Sequence, residues 1–304
     1  MASLKETKNH IASVKSTLKI TSAMKMVASA KLHKAQQAIE AMRPYEAALH
    51  DILMQAGGSL EGYMRPASTG PGGTVAVVLF SSCSSLCGGF NANVIREARA
   101  RIAALRAEGR QVVVYSVGRK VADAMRRDGY DSPADYGHLV TAPSYDEVAD
   151  LAQTLVSAYE SGEYERVELI YNHFVSAASQ KVTVEAYLPF SMADTLEDSS
   201  TDVASPTAAD FPKDADSPAD AEEYIMEPDR ASLLADLIPK VIRLKLYTVV
   251  LDSVAAEHAA RTVAMQTATD NGEEMLGDLT LQYNKDRQQK ITFEILDLAA
   301  GAQR

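Results

Sequence analysis

The sequence has no tryptophan, only two cysteines and no long apolar run. Each absence excludes a class of protein. Cys83 and Cys87 are too few to staple a secreted chain of 304 residues, so a reducing, cytosol-facing compartment is expected. No stretch reaches the roughly 18–20 apolar residues of a membrane-spanning helix. The first residues, Met1-Ala-Ser-Leu-Lys-Glu-Thr-Lys8, are polar and lack the apolar core of a signal peptide.

The signatures of common catalytic sites are missing too. There is no G-x-x-x-x-G-K-[ST], no G-x-G-x-x-G after the apolar run 74–80, and no G-x-S-x-G. The six histidines, at 10, 33, 50, 138, 173 and 258, form no HExxH pair. Asp214-Ala-Asp-Ser-Pro-Ala lacks the third oxygen ligand and the glycine of a calcium loop. No catalytic residue, no cofactor and no metal are therefore expected.

What remains is a soluble globular composition, 46% apolar and 23% charged, with a net charge of −11. That charge is uneven. Residues 1–43 carry eight basic side chains against Glu6 and Glu40, a net of +6, whereas residues 193–229 carry twelve acids against Lys213, a net of −11. A basic arm on an acidic protein implies an anionic partner. Nucleic acid is one such partner, and a module of that kind would bind DNA in a salt-dependent way. The overall acidity and 6% aromatic content argue against it.

Residues 4–55 contain no proline before Pro44 and no glycine. Apolar residues recur at Ile11, Val14 and Leu18, then at Ile20, Met24, Val27 and Ala28, and on through Leu32, Ala35, Ile39 and Met42. Steps of three and four predict one long helix with a narrow seam rich in Ala and Met, stopped by Gly57-Gly58. From Asp229 to about Leu298 the pattern is again helical, through Leu233, Leu234, Leu237, Val241, Leu244, Val250, Val254, Ala259, Val263, Met275, Leu279, Ile291 and Ile295. A kink is expected at Pro239 and an end at Gly301. At 1.5 Å per residue the two helices would span roughly 75 and 100 Å. A compact chain of this length is roughly 50 Å across. Both helices must project, and the seams predict an antiparallel coiled coil.

Between them lies an α/β pattern. Strands are predicted at 74–80, 111–117, 166–174 and 180–188, with helices at 92–108, 118–128 and 144–161 separating the first three. This is the order of a Rossmann-like, mostly parallel sheet, whose last strand turns back antiparallel after Ser176-Ala-Ala-Ser179. The division expected is a coiled-coil helix at 1–57, a Rossmann-like domain at 74–192, a disordered acidic insert at 193–222 and a second coiled-coil helix at 229–304.

The strand-to-helix corner Ser81-Ser-Cys-Ser-Ser-Leu-Cys-Gly-Gly-Phe-Asn91 could carry redox chemistry on Cys83 and Cys87, but the spacing is C-x-x-x-C rather than C-x-x-C. The plainer reading is a turn: Gly88-Gly89 permits φ > 0, Asn91 caps the next helix, and the small thiols pack beside it.

Both ends also resemble a known family. Ile11-Ala-Ser-Val-Lys-Ser-Thr-Leu-Lys-Ile-Thr-Ser-Ala-Met-Lys-Met-Val-Ala-Ser-Ala-Lys-Leu-His-Lys-Ala-Gln37 and Leu279-Thr-Leu-Gln-Tyr-Asn-Lys-Asp-Arg-Gln-Gln-Lys-Ile-Thr-Phe-Glu-Ile295 resemble the gamma subunits of F-type ATP synthases. So do Leu86-Cys-Gly-Gly-Phe-Asn91, Glu257–Asn271 and Tyr224-Ile-Met-Glu-Pro-Asp229, in family order over essentially the whole chain. Cys83-Ser-Ser85 replaces the Asp-Arg-Gly usual in that family, and the acidic linker is longer than usual.

The resemblance implies a non-catalytic rotor axle inside a ring of alpha and beta subunits, standing on the membrane c-ring beside epsilon. By resemblance, Met24, Lys25, Arg261, Arg287, Gln288, Thr292 and Glu294 would meet beta, with Met24 and Lys25 facing its acidic lever loop. Ile291, Ile295 and Leu298 would turn in an apolar upper bearing, and Tyr224 and Glu227 would lie near the c-ring and epsilon. The implied place is the cytoplasmic face of a bacterial inner membrane, reached only through the c-ring, with no nucleic-acid partner.

Overall fold

The computed structural model describes residues 4–55, 73–190 and 229–301. The acidic insert 193–222 and the Gly57-Gly58 stop lie outside them. In chain order the elements are α1 (Leu4–Gln55), β1 (Thr74–Phe80), α2 (Phe90–Ala107), β2 (Gln111–Val117), α3 (Arg119–Arg127), α4 (Gly137–Thr141), α5 (Tyr145–Glu160), β3 (Arg166–Phe174), β4 (Gln180–Leu188) and α6 (Arg230–Gly301). The chain divides into two units, residues 31–260 and residues 1–30 with 261–304.

The first unit is built on a sheet of order β2-β1-β3-β4. β1 pairs in parallel with β2, from Thr74↔Gln111 to Phe80↔Val117, and in parallel with β3, from Val75↔Arg166 to Leu79↔Ile170. β4 runs antiparallel to β3, as the short turn before it requires, with a bulge at Val167/Glu168. In the β1 run Thr-Val-Ala-Val-Val-Leu-Phe, every residue after half-buried Thr74 is buried, because both faces of the sheet are covered. Period two sends Val75, Val77 and Leu79 to one face, against Val94, Ala98, Ile102 and Leu105 of α2 and Val121 and Met125 of α3. Ala76, Val78 and Phe80 point to the other, against Leu151 and Leu155 of α5 and Leu234, Ile242, Leu246 and Val250 of α6. Leu32, Ala35 and Leu53 of α1 join that second core.

Polar clamps tie α6 to the sheet. Tyr187 donates to the Ile242 carbonyl at 2.9 Å. Lys245 pairs with Glu185 at 2.8 Å, and Glu185 also accepts from the Tyr171 hydroxyl. Asp252 takes His173 at 2.7 Å and the Phe174 N–H at 3.1 Å. Burial pushes the Tyr187 phenol well above its ordinary range, so it remains a neutral donor.

All four strands lie where the sequence predicts them, and the three intervening helices begin and end within two residues of expectation. α6 passes through Pro239, and α1 through Pro44, without a break. α4 is too short for a helical period to show in sequence, although Leu139 and Val140 are buried. Seven residues of the predicted apolar patterns are exposed instead: Ile20, Val27, Val263, Met275, Ile291, Ile295 and Leu298. Counting apolar residues alone merges the seam with the outward faces of the same helices.

Two substitutions test this account. Glu168 is buried beneath α2 and holds Arg101 through two hydrogen bonds of 2.7 Å, with Arg166 at 3.2 Å. The carboxylate keeps the Arg101 guanidinium above its usual range. Removing one partner of a buried pair costs roughly 3–5 kcal/mol; the part-exposed arginine reduces this, so Glu168→Gln should lower stability by about 2 kcal/mol in urea unfolding of the full chain. Gly118 has φ +114°, and a Cβ there would meet the Ser81 carbonyl oxygen. Gly118→Ala should therefore cost at least about 2 kcal/mol in the same measurement.

Candidate functional site

The β1–α2 corner is filled by its own side chains. Asn91 accepts from the Ser82 N–H at 3.0 Å, and its amide donates to the Ser82 hydroxyl at 2.8 Å and to the Cys87 sulfur at 3.1 Å. This corrects the sequence expectation. Gly89 occupies the cap position of α2, with no side-chain cap, and Asn91 lies inside the first turn, bonded back to the strand end. The positive φ falls on Leu86 (68°) and Gly88 (59°), whereas Gly89 is helical. Cys87 is buried with Phe90 of α2 and Ala256 and Ala260 of α6. Cys83 donates to the Gly137 carbonyl at 3.2 Å. Both thiols are free, and no His/Cys/Asp/Glu group suited to a metal occurs among the described residues. A sulfur as enclosed as that of Cys87 is a packing atom rather than a nucleophile.

The second unit is the pairing of α1 with the distal part of α6. Thr21 and Thr269 meet hydroxyl to hydroxyl at 2.9 Å. Leu18, three residues earlier on α1, touches Gly272, three residues later on α6, so the helices run antiparallel. Gly272 has no Cβ, and one placed there would come within 2.7 Å of the Leu18 side chain. Thr7, Val14, Ala28 and Met265 are buried in this unit. Periodicity of apolar residues passed over Thr21, Thr269 and Gly272; the signal available was the spacing of three and four that links them to Val14, Leu18 and Met265.

The residues singled out by resemblance are distributed along this unit. Met24 and Lys25 are half-buried on α1, one turn beyond Thr21, and Arg261 is buried on α6. Arg287, Gln288, Thr292 and Glu294 are exposed near the end of α6. Thr292 donates to the Gln288 carbonyl, and Glu294 lies 3.8 Å from Lys290. The register set by Leu18 and Gly272 places Leu4 level with about Asp286, so α6 outruns the described part of α1 beyond that point. There Ile291, Ile295 and Leu298 are exposed, at 47, 59 and 74%. Sequence reasoning missed two of their neighbours: Phe293 and Leu296 are also exposed, on other sides of the helix. Tyr224 and Glu227 lie outside the described residues.

Three comparisons agree with this architecture. A family model described as ATP synthase matches residues 3–303. ATP synthase gamma chains of Phocaeicola vulgatus and Bacteroides thetaiotaomicron are 46 and 47% identical over 309 and 307 residues, each alignment covering 99% of both chains. That of Flavobacterium johnsoniae is 40% identical over 309 residues, covering 100% of this chain and 99% of its own. Among solved structures, the central stalk and c-ring of the Tetrahymena thermophila mitochondrial ATP synthase aligns with a TM-score of 0.54 and 24% identity, over 82% of this chain and 99% of its own. A chain of the Euglena gracilis mitochondrial ATP synthase, in its OSCP/F1/c-ring structure, aligns with a TM-score of 0.60 and 18% identity, over 99% and 93%. These likenesses show a shared fold. With full-length identities well above 40%, the chain belongs to the ATP synthase gamma-chain family.

Proposed function

We propose that this chain is the central rotor shaft of a bacterial F-type ATP synthase and is not itself catalytic. The observation that carries the proposal is kinship with ATP synthase gamma chains over 99% of the chain. In this reading, residues 1–57 and 229–304 form the shaft, 74–192 the foot, and 193–222 an acidic insert. Proton flow turns the c-ring and the foot with it. The asymmetric shaft then drives the three catalytic sites on beta through their conformations in turn.

The physical chemistry of these residues supports the roles. Met24 and Lys25 belong to the +6 arm, which suits an acidic loop of beta. Arg287, Gln288, Thr292 and Glu294 offer exposed polar groups near the end of α6 whose partners on beta change as the shaft turns, whereas Arg261 is buried and is assigned to beta by resemblance alone. At the tip, Ile291, Ile295 and Leu298 share one exposed face of the helix and Leu296 and Phe293 another, with Lys290, Glu294 and Asp297 exposed between them. Exposed apolar side chains on two faces of one helix mark a surface that a partner covers. An apolar sleeve would cover both faces and still permit rotation. Tyr224 and Glu227 would meet the c-ring and epsilon. The chain would sit at the cytoplasmic face of the inner membrane and touch it only through the c-ring; among the described residues no helix is long and apolar enough to cross a membrane.

Lys25→Cys in the assembled complex should be joined to beta by a bifunctional reagent that reacts with the introduced thiol and with an amine of beta, and the isolated chain should turn over no ATP. Turnover by the isolated chain would overturn the proposal. Replacing Ile291, Ile295 and Leu298 together by Asp should reduce co-purification with alpha and beta, since each enclosed side chain is worth roughly 1.5–3 kcal/mol.

A further inference from the structure

The seam between α1 and α6 in the second unit includes side chains that specify an angle poorly. Ala28 is small and Met265 is adaptable. Apolar contact is non-directional, so such a seam alone would let one helix roll against the other. Thr21 and Thr269 differ, because a hydrogen bond has a preferred direction as well as a distance.

Their protons can be counted. Thr269 lies 2.8 Å from the Met265 carbonyl, Thr21 lies 3.1 Å from the Leu18 carbonyl, and the two hydroxyls are 2.9 Å apart. Two hydroxyls supply two protons, so only two of these three contacts can be hydrogen bonds at once. The two shortest are compatible when Thr269 donates to Met265 and Thr21 donates across the seam to Thr269. One turn further on, Gly272 lets Leu18 approach closely. A directional bond and a tight steric fit thus act on adjacent turns of the same pair of helices.

We infer that the Thr21–Thr269 bond, seated by the Leu18–Gly272 contact, is a pin that fixes the rotation of α1 about its own axis against α6. Met24 and Lys25 stand one turn beyond Thr21 on the same helix, so the pin sets the direction in which they point. It is a positioning pair: neither hydroxyl needs to touch a partner subunit. The inference rests on the rotor reading above, in which Met24 and Lys25 meet beta.

Valine matches threonine in shape and lacks the hydroxyl, which makes Thr21→Val and Thr269→Val the informative variants. They are to be studied in the full chain assembled with its partner subunits, alongside the double Val variant and the double Thr→Ser variant. The quantity read is the number of protons pumped per ATP hydrolysed by each assembled complex. Each single Val variant should lower that ratio two- to fivefold. The double Val variant should be no worse than either single one, because both remove the same bond, and the double Ser variant should return to the original ratio. Two spin labels, on Ser13 and Leu281 replaced by Cys in a chain that also carries Cys83→Ser, should show a narrow distance distribution that broadens in the Val variants and narrows again with Ser. A ratio unchanged in both single variants would overturn the inference, as would a double Val effect equal to the product of the singles. The Lys25→Cys cross-link to beta, run in parallel, separates the two levels. A cross-link with unaffected Val variants removes the pin and leaves the rotor; no cross-link in the original complex removes the rotor reading itself.

Discussion

An α-helix closes its backbone hydrogen bonds within itself, and the two terminal segments of this chain depend on that property. A helix needs no sheet or loop beside it to satisfy its N–H and C=O groups, so its surroundings can change along its length without breaking it. α6 uses this over 72 residues. Between Leu234 and Ala259 it is part of the sheet's core, around Met265 to Gly272 it shares a seam with α1, and from about residue 287 its side chains are exposed. Only the side chains change. A strand could not do the same, because every change of neighbour would strand its polar backbone.

How firmly α6 is held on the sheet follows from the spacing of its clamps. Ile242, Lys245, Val249, Asp252, Ala256 and Ala259 fall on one helical face at steps of three and four, and that face carries polar anchors and apolar packing in alternation. The apolar contacts supply most of the free energy. The hydrogen bonds and ion pairs supply direction, since they are lost if the helix turns by a fraction of its period. For a shaft of the kind proposed, resistance to turning matters more than adhesion alone.

Much of this was legible in the sequence. β1 reads as a nearly unbroken apolar run because a two-sided parallel sheet leaves it no wet face, and the helices between the strands announced themselves by period and by glycines at their ends. The long helices were equally plain, since no breaker interrupts them for tens of residues. What stayed hidden depends on three-dimensional detail. Asn91 reads as a cap, but the turn places it one step inside the helix, where its amide reaches back to Ser82. Thr21, Thr269 and Gly272 are polar or lack a side chain, so a search for apolar recurrence skips the three residues that bring the helices together. Ile20, Val27, Val263 and Met275 mislead in the opposite sense, being apolar and exposed.

The closed β1–α2 corner also decides how this chain can be handled in the laboratory. Cys83 and Cys87 are its only thiols, and Cys87 lies sealed between α2 and α6 with an amide donated to its sulfur. A maleimide or nitroxide reagent would find Cys83 alone, and only through its half-buried flank. One conservative replacement at Cys83 therefore leaves a background almost blank to thiol chemistry, in which a cysteine introduced on either long helix becomes a single addressable site.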